Sequence, residues 1–319
     1  MSLTEKFLQM FAAIALFAAV FGGVVLLAGR SSGRKAEKIQ AAAFLGPAII
    51  LLTVGLVYPA LRTIWESFRD ANSKKYVGFD NYHSIVSSPE LRLVLRNTAL
   101  WVVLVPLFAT AIGLLYAVLV DRAKAEALAK SLIFLPMAIS FVGASIIWSF
   151  VYDFRPEGRS QIGLANQLIV ATGGKPYQFI LSNFNTLFLI VVLVWIQAGF
   201  AMTILSAALK GIPDDVIEAA RLDGVNWRQM FRHITLPSLR PALVVVLTTI
   251  AIGTLKIFDI VKTMTGGNFK TSVIANEFYQ QSFVANNGGL GSALAVVLFV
   301  LVVPIIIYNV RNLRKAEHR

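Results

Sequence analysis

The sequence predicts an all-α integral membrane protein, a polytopic bundle of about seven transmembrane helices. Hydrophobic residues make up 57% of its 319 residues and charged residues only 14%, whereas a soluble domain carries about 25% charged residues. The mean hydropathy is +0.71. Seven apolar segments reach the roughly 20 residues that a helix needs to cross a bilayer. These segments are Phe7–Gly29, Ala41–Leu61, Thr98–Val120, Ser131–Val151, Thr186–Leu209, Ala242–Val261 and Leu290–Val310.

The first apolar segment is predicted to be a retained helix and not a cleaved signal peptide. A signal peptide has its basic residues before a short apolar core, but here the basic cluster follows a longer apolar run. The cluster consists of Arg30, Arg34, Lys35 and Lys38. Residues 1–40 are therefore expected to form an extra N-terminal transmembrane helix and a basic cytoplasmic linker, with the N-terminus outside the cell. Residues 41–319 are expected to form one membrane domain.

Lysine and arginine are distributed unevenly between the two sides of the predicted bundle. With residues 210–241 placed inside the cell, the cytoplasmic intervals hold more basic residues than the external ones, over fewer positions. This agrees with the positive-inside rule and places the basic C-terminal tail in the cytoplasm. The formal net charge of +12 does not indicate nucleic-acid binding, because no basic run is interleaved with aromatic residues on a soluble module.

The polar interval 213–241 predicts two short helices between two apolar segments. Pro213 suits a first helical turn, and Asp214 and Asp215 place negative charge near unpaired backbone N–H groups. Gly224 fits the position just after a helix, where the backbone needs a positive φ. The first helix is therefore expected to end before Gly224.

The second short helix is predicted to begin with a capping box formed by Asn226 and Gln229. Its apolar stripe, spaced i, i+3, i+4 and i+7, consists of Trp227, Met230, Phe231 and Ile234. Pro237 is expected to end this helix. Two such helices at the membrane surface form either a knob that another protein grips or an ordinary loop packed on its own bundle.

The chain lacks the residues of several catalytic and energy-coupling sites. No Gly-x-x-x-x-Gly-Lys-Ser/Thr string is present, so no Walker A nucleotide site is expected. The three histidines lie far apart in the sequence and there is no cysteine, which argues against a metal cluster, a membrane enzyme or thiol chemistry. The centres of the predicted spans are nearly free of carboxylates, which argues against an ion-coupled carrier.

Lys256 is the exception among the predicted spans, and Asp259 is expected three residues later on the same helix face. A lysine inside a membrane span marks a functional site by default. A local Lys–Asp pair that snorkels outward explains the same pattern. Both interpretations stay open on the sequence.

Uncharged polar residues also occur within the spans, and most are expected to bond their own helix or a neighbouring one. Gln197 differs because it lies in the middle of a span and closely follows Trp195. An aromatic ring beside an amide suits a carbohydrate, which offers apolar ring faces and hydroxyl edges. The same pair would also serve a helix–helix contact.

The polar interval resembles the cytoplasmic coupling motif of binding-protein-dependent ABC permeases: Glu-Ala-Ala, two residues, Asp-Gly, and a tail that ends in Leu-Pro. The matching positions are Glu218, Ala219, Ala220, Asp223, Gly224, Phe231, Ile234, Thr235, Leu236, Pro237 and Pro241. The resemblance implies a cytoplasmic coupling helix that docks into a groove on an ATPase subunit. The implied ATPase-coupling residues are Glu218, Ala219, Ala220, Asp223, Gly224, Leu236 and Pro237.

Three further strings extend the resemblance from about Ala41 to the C-terminus, and they are similar to the maltose/trehalose, α-glucoside class of sugar permeases. The strings are Leu135-Pro136-Met137 with Ser140-Phe141, Trp195-Ile196-Gln197 with Gly199-Phe200, and Ile257-Phe258-Asp259-Ile260-Val261 with Met264-Thr265-Gly266-Gly267. The continuation Asn268-Phe269, where many members have Gly-Pro, resembles the α-glucoside branch. Residues on these helices line the sugar path in related permeases. The implied path residues are Met137, Phe141, Ile196, Gln197, Gly253, Thr254 and Ile257.

The resemblance implies a six-helix ABC importer core plus one N-terminal helix, in a bacterial-type plasma (inner) membrane. The chain would be the non-catalytic permease of an ATP-driven importer of a di- or oligosaccharide, such as maltose or trehalose. It would bind no cofactor itself, because partner ATPase subunits use the ATP and Mg. The implied partners are a second homologous permease, two ATP-binding subunits and an extracytoplasmic sugar-binding protein.

Two alternatives differ in cargo or in energy source. The same machinery could carry glycerol-phosphate or another polar solute, which predicts Arg or Lys along the path, where only Lys256 is available. A stand-alone secondary carrier predicts uptake without an ATPase, and it should show carboxylates near the middle of the membrane.

Overall fold

The computed structural model describes residues 3–30, 36–121 and 123–317, and the chain groups into two units, Met1–Trp65 and Glu66–Arg319. The described backbone is helical apart from its loops and one isolated antiparallel bridge between Arg69 and Tyr76. The predicted all-α class is confirmed. The predicted boundary at residue 40 stays a prediction.

The first unit consists of long apolar helices with exposed side chains. They are α1 (Leu3–Arg30), α2 (Ala36–Leu52), a π-turn (Thr53–Val57) and α3 (Tyr58–Glu66). Helices α1 and α2 contact each other. Two stretches, Thr4–Val24 and Gln40–Glu66, are long and apolar enough to cross a membrane, and the second ends one residue beyond this unit. They correspond to the first two predicted spans.

The second unit is built around two long helices that pack along each other, α5 and α9. Its helices are α4 (Asp80–Ser87), α5 (Pro89–Val120), α6 (Glu126–Phe134), a 3₁₀ turn (Leu135–Ala138), α7 (Phe141–Val151), α8 (Leu164–Ala171), α9 (Asn185–Lys210), α10 (Asp214–Leu222), α11 (Trp227–Met230), a π-turn (Phe231–Thr235), α12 (Leu236–Ser238), α13 (Arg240–Leu255), α14 (Asp259–Met264), α15 (Ile274–Tyr279), a second π-turn (Gln280–Val284) and α16 (Gly288–Glu317).

Two glycines allow the central helices to approach closely. A Cβ added at Gly113 of α5 would lie 2.5 Å from the Cβ of Ala201 and 2.7 Å from the backbone N of Met202, both on α9. A Cβ added at Gly199 of α9 would lie 2.6 Å from the carbonyl O of Ile133 on α6. Contacts this close leave no room for a side chain, because protein interiors are already packed as densely as organic crystals.

The predicted spans Thr98–Val120, Thr186–Leu209 and Leu290–Val310 are single helices, within α5, α9 and α16. Helix α5 is longer than its span because it begins at Pro89. The first turn of α5 suits proline, whose missing N–H would be unpaired there in any case. The Ser88 Oγ caps α5 by accepting a hydrogen bond from the Leu91 N–H.

The predicted span Ser131–Val151 is not one straight helix, which corrects the sequence prediction. The chain bends by 101° between Glu126–Ala138 and Phe141–Val151. Pro136 lies in the 3₁₀ turn before the bend, and the Ser140 Oγ accepts a hydrogen bond from the Gly143 N–H at 3.0 Å to start α7. Proline and an N-cap serine together end one helix and begin the next.

The predicted span Ala242–Val261 is also interrupted. Helix α13 ends at Leu255 with Lys256 as its C-cap, and α14 begins only at Asp259. The expectation that Lys256 and Asp259 share one helix face was therefore wrong. Within the described part of the chain no ion pair joins the two residues, and the Lys256 side chain is exposed. Counting each bent helix pair as one span gives up to 7 spans.

Candidate functional site

The polar interval forms two short helices, as predicted, beginning with α10. Pro213 precedes α10 as its N-cap residue, with φ −59° and ψ 135°, and does not lie inside the first turn. Asp214 and Asp215 occupy that turn. Carboxylates in a first turn lie near the positive end of the helix dipole, where negative charge is favourable.

The end of α10 is a Schellman motif centred on Gly224. Gly224 has φ +75°, and its N–H donates to the carbonyl of Arg221 at 3.1 Å. The Val225 N–H donates to the carbonyl of Ala220, also at 3.1 Å. This pair of hydrogen bonds requires a residue in the left-handed region, which glycine enters at the lowest cost. The predicted positive φ at Gly224 is confirmed.

The second helix begins with the predicted capping box. The Asn226 Oδ1 accepts from the Gln229 N–H at 3.0 Å, and the Gln229 Oε1 accepts from the Asn226 N–H at 3.0 Å. The helical run that begins at Trp227 ends at Ser238, one residue after Pro237 and close to the expected end. The chain then bends by 64° at Leu239, and the Leu239 side chain is fully buried.

Two of the most exposed side chains on the two short helices are large and apolar. Leu222 is 89% exposed and Trp227 is 75% exposed, and the Arg228 guanidinium lies 5.5 Å from the centre of the Trp227 ring. Glu218 and Ala219 are exposed, whereas Ala220 is buried. We name Asp214–Met230 the coupling segment. Two large apolar side chains thus project from an otherwise polar surface.

Ion pairs join α6 to the end of α9, just before the coupling segment begins. They were not predicted from the sequence. The Glu126 carboxylate on α6 lies 2.6 Å from the Lys130 Nζ and 2.5 Å from the Nζ of Lys210, the last residue of α9. The Lys130 ammonium also donates to the Ser206 hydroxyl on α9. These contacts fix the end of α9 against α6, four residues before α10 begins. Nothing in the local sequence brings position 126 near position 210.

We expect Glu126→Gln to lower the thermal unfolding temperature, and the decrease should shrink as salt is added. The amide cannot form the two ion pairs, and salt screens the attraction that the variant loses. Glu157→Gln is the matched control, because its partner Lys175 lies at 3.3 Å and both side chains are mostly exposed. Thermal unfolding of both variants at low and high salt tests this expectation. Equal unfolding temperatures for Glu126→Gln and Glu157→Gln at both salt concentrations would contradict it.

Three of the predicted path residues are enclosed by this chain. Ile196 on α9 is 2% exposed, Thr254 on α13 is fully buried, and Ile257 beyond α13 is 3% exposed. The Thr254 Oγ1 donates to the Ile250 carbonyl at 2.7 Å, one turn earlier in its own helix. Their role as path residues stays a prediction, and the burial of all three limits direct contact with a solute in this conformation.

The other predicted path residues reach the surface of the unit. Met137 and Phe141 are exposed on either side of the 101° bend, and a Cβ added at the exposed Gly253 would meet nothing within 4 Å. Gln197 is half-buried on α9, and its amide makes no hydrogen bond within the described residues. The Trp195 ring, two residues before it, lies 5.7 Å from the Trp148 ring on α7. Gln197 therefore offers one amide without a hydrogen bond in the described structure, whereas Trp195, two residues earlier, projects from a different side of α9.

Among the residues that the structure describes, no group of three or more His, Cys, Asp or Glu is arranged to hold a metal ion.

Comparison with known families and proteins finds similarity over most of the chain. A family model described as "Binding-protein-dependent transport system inner membrane component" matches residues 85–314. The osmoprotective compounds uptake permease protein GgtC of Synechocystis sp. is 47% identical over 275 residues, which cover 86% of this chain and 99% of that protein. The alpha-glucoside transport system permease protein AglF of Rhizobium meliloti is 47% identical over 281 residues, 88% of this chain and 84% of that protein.

More distant similarity extends to an archaeal relative and to solved structures. The trehalose/maltose transport system permease protein MalF of Thermococcus litoralis is 29% identical over 267 residues, 80% of this chain and 87% of that protein. A chain of a bacterial ABC transporter that imports the acidic polysaccharide alginate is similar in fold, with a TM-score of 0.74 at 21% identity, covering 89% of this chain and 99% of that chain.

Proposed function

From the membership of this chain in the family of binding-protein-dependent transport system inner membrane components, we propose that it is the permease of an ATP-driven α-glucoside importer. As a member of that family it is an integral inner membrane protein and the non-catalytic permease subunit of an ABC importer. In the proposed complex a second, homologous permease forms the other half of the path, and two ATPase subunits bind ATP and Mg. A sugar-binding protein delivers the solute from outside.

The exposed coupling segment carries this proposal. Leu222 and Trp227 project from a rigid element, and the Schellman motif and the capping box fix the angle between its two helices. An ATPase groove that encloses these side chains would remove their apolar surface from water. Each Å² of apolar surface buried in this way stabilises the complex by roughly 25 cal/mol. Closure of the ATPase subunits would then move the coupling segment as one lever. Glu218 and Asp223 are exposed beside it and provide charged anchors.

The choice of an α-glucoside rests on two sources of support. Relatives with 47% and 29% identity are named for alpha-glucoside and for trehalose/maltose transport. In this chain, Gln197 offers an amide without a hydrogen bond in the described structure, and Trp195 on the same helix pairs its ring with that of Trp148. Amide groups bond hydroxyls, and aromatic faces stack on the apolar faces of a sugar ring. Both features suit an uncharged sugar.

In the proposed orientation the coupling segment and the C-terminus lie in the cytoplasm and the N-terminus lies outside. Helix α9 connects the two sides, since its 26 residues extend about 39 Å, more than the roughly 30 Å hydrocarbon core. The end of α9 at Asn185 then lies outside.

The direct test is ATP-dependent uptake of labelled maltose or trehalose into proteoliposomes that contain this chain with its paired permease and ATPase subunits. We expect uptake only when both ATP and the sugar-binding protein are present. If the binding protein stimulates ATP hydrolysis with another solute and not with these sugars, the importer mechanism stands and the α-glucoside assignment is overturned. Uptake without the ATPase subunits would overturn the proposed mechanism.

We expect Gln197→Leu to raise the KM for sugar uptake about tenfold, with the ATPase subunits still assembled. The variant removes a group that is proposed to bond a sugar hydroxyl, and one lost hydrogen bond in a binding site costs about 1–3 kcal/mol. Thr203→Val is the control on the same helix, because the Thr203 Oγ1 already donates to the Gly199 carbonyl at 2.9 Å. Transport kinetics of the two variants test the role, and equal KM values would contradict it.

A further inference from the structure

A cleft of about 550 Å³ lies at the end of α9 opposite the coupling segment. Its walls are residues 93–100 of α5, residues 181–184 with the first turn of α9, and Phe269 and Lys270 of the loop at residues 268–270. Because α9 is long enough to cross the membrane, this cleft and the coupling segment lie on opposite sides of it. In the proposed orientation the cleft opens to the outside.

The loop that closes the cleft has a strained backbone. Phe269 has φ +56° and Lys270 has φ +63°, so two consecutive residues other than glycine lie in the left-handed region. This conformation is costly for residues with a Cβ and persists only where the surrounding structure enforces it.

Two buried asparagines hold the strained loop in place. The Asn185 Nδ2 on α9 donates to the Phe269 carbonyl at 2.7 Å. The Asn97 Nδ2 on α5 donates to the carbonyls of Lys270 at 2.7 Å and Ser272 at 3.0 Å. Both asparagines are at most 6% exposed. The loop is thus fixed to both central helices, and Phe269 and Lys270 are held at the wall of the cleft.

The cleft carries positive charge that no group in the described structure neutralises. Arg96 and Lys270 both line it, and no carboxylate is among its lining residues. Within the described residues neither cation takes part in an ion pair, and both side chains are exposed.

We propose that this cleft receives an acidic side chain, Asp or Glu, of the extracytoplasmic binding protein. This inference rests on the proposed function, which requires a soluble partner that docks on the outer side and then leaves. Two exposed cations without an ion pair in the described structure, beside the exposed rings of Phe184 and Phe269, fit such an interface, where complementary charge governs encounter and orientation. Helix α5 begins at Pro89, more than two turns before the apolar span at Thr98, so Arg96 lies at the outer boundary of the membrane.

The test uses the complete transporter in nanodiscs and measures ATP hydrolysis as the concentration of binding protein is increased. For the double variant Arg96→Glu, Lys270→Glu we expect the half-saturating concentration of binding protein to rise about tenfold. The dependence of this concentration on salt should also weaken, because the attraction that salt screens is gone. The matched control is Arg92→Glu, an exposed arginine one turn earlier on α5 that does not line the cleft, and it should leave the titration unchanged.

A second experiment identifies the acidic residue of the binding protein. Single Asp→Lys and Glu→Lys variants of the binding protein are titrated against the double variant, and one of them should restore a low half-saturating concentration. An unchanged titration for the double variant would overturn this inference alone. A rise of the same size in the unmodified transporter, when anionic lipid is replaced by zwitterionic lipid, would identify a lipid headgroup as the occupant and also overturn it. Absence of any stimulation in the unmodified transporter would overturn the proposed function and, with it, this inference.

Discussion

Sugar uptake by the complete transporter is expected to fall about 30-fold when Gly224 is replaced by Asp, while the chain remains inserted and folded. A Cβ at this position meets nothing within 4 Å, so the fold has space for the side chain. Asp also enters the left-handed region more readily than most residues, which limits the backbone strain at φ +75°. The added carboxylate would instead occupy the interface with the ATPase subunit. A disrupted centre of an interface costs about 2 kcal/mol or more.

Two further variants separate the causes of this loss. Gly224→Asn has the same size and a similar backbone preference but no charge, so uptake should fall less than with Gly224→Asp. Glu218→Lys reverses an exposed charge on α10 and should also uncouple ATP hydrolysis from transport. The measurements are uptake and ATP hydrolysis by the same reconstituted complexes. Normal uptake with both Gly224→Asp and Glu218→Lys would exclude the coupling role.

Leu222→Ala gives the cleanest estimate of how strongly the ATPase subunit is bound. Because Leu222 is 89% exposed, its truncation removes almost no packing within this chain. Any loss of ATPase binding therefore reports the interface itself. Leu168→Ala, a 61% exposed leucine on α8, is the matched control and should leave co-purification of the ATPase subunits unchanged.

The largest loss of stability is expected for Gly113→Val. The added Cβ would lie 2.5 Å from the Ala201 Cβ and 2.7 Å from the Met202 backbone N, and neither neighbour is a flexible side chain that can move away. Helices α5 and α9 would have to separate along the main contact of the second unit. Overpacking of a dense core costs about 1–3 kcal/mol, and a forced separation of two helices belongs at the upper end of this range.

The measurement for Gly113→Val is the thermal unfolding temperature of the purified protein in detergent, together with the yield of folded protein. Gly46→Ala on α2 is the control, because a Cβ there meets nothing within 4 Å. That variant should be neutral or slightly stabilising, since alanine favours a helix by about 1 kcal/mol over glycine. A Gly113→Val protein as stable as the unmodified one would show that α5 and α9 tolerate a wider separation.

The sequence was sufficient to predict the features that local chemistry controls. Apolar runs of about 20 residues require a membrane, because a helix is one of the few structures that pairs its own backbone groups in lipid. The positive φ at Gly224 and the capping box of Asn226 and Gln229 were also predictable, since each depends on residues at most a few positions apart. The proposed coupling residues also come from a local string, and their role stays a prediction.

Tertiary structure decided the features that depend on residues far apart in the chain. The 101° bend before α7 and the interruption after Lys256 fall within apolar runs, where composition alone predicts continuous helices. The ion pair between Glu126 and Lys210 and the hydrogen bond from Asn97 to the Lys270 carbonyl join positions separated by many residues. No pattern of spacing encodes such contacts, because they arise only when the helices pack. Hydrophobic periodicity determines which segments enter the membrane, whereas side-chain packing determines which of their residues meet.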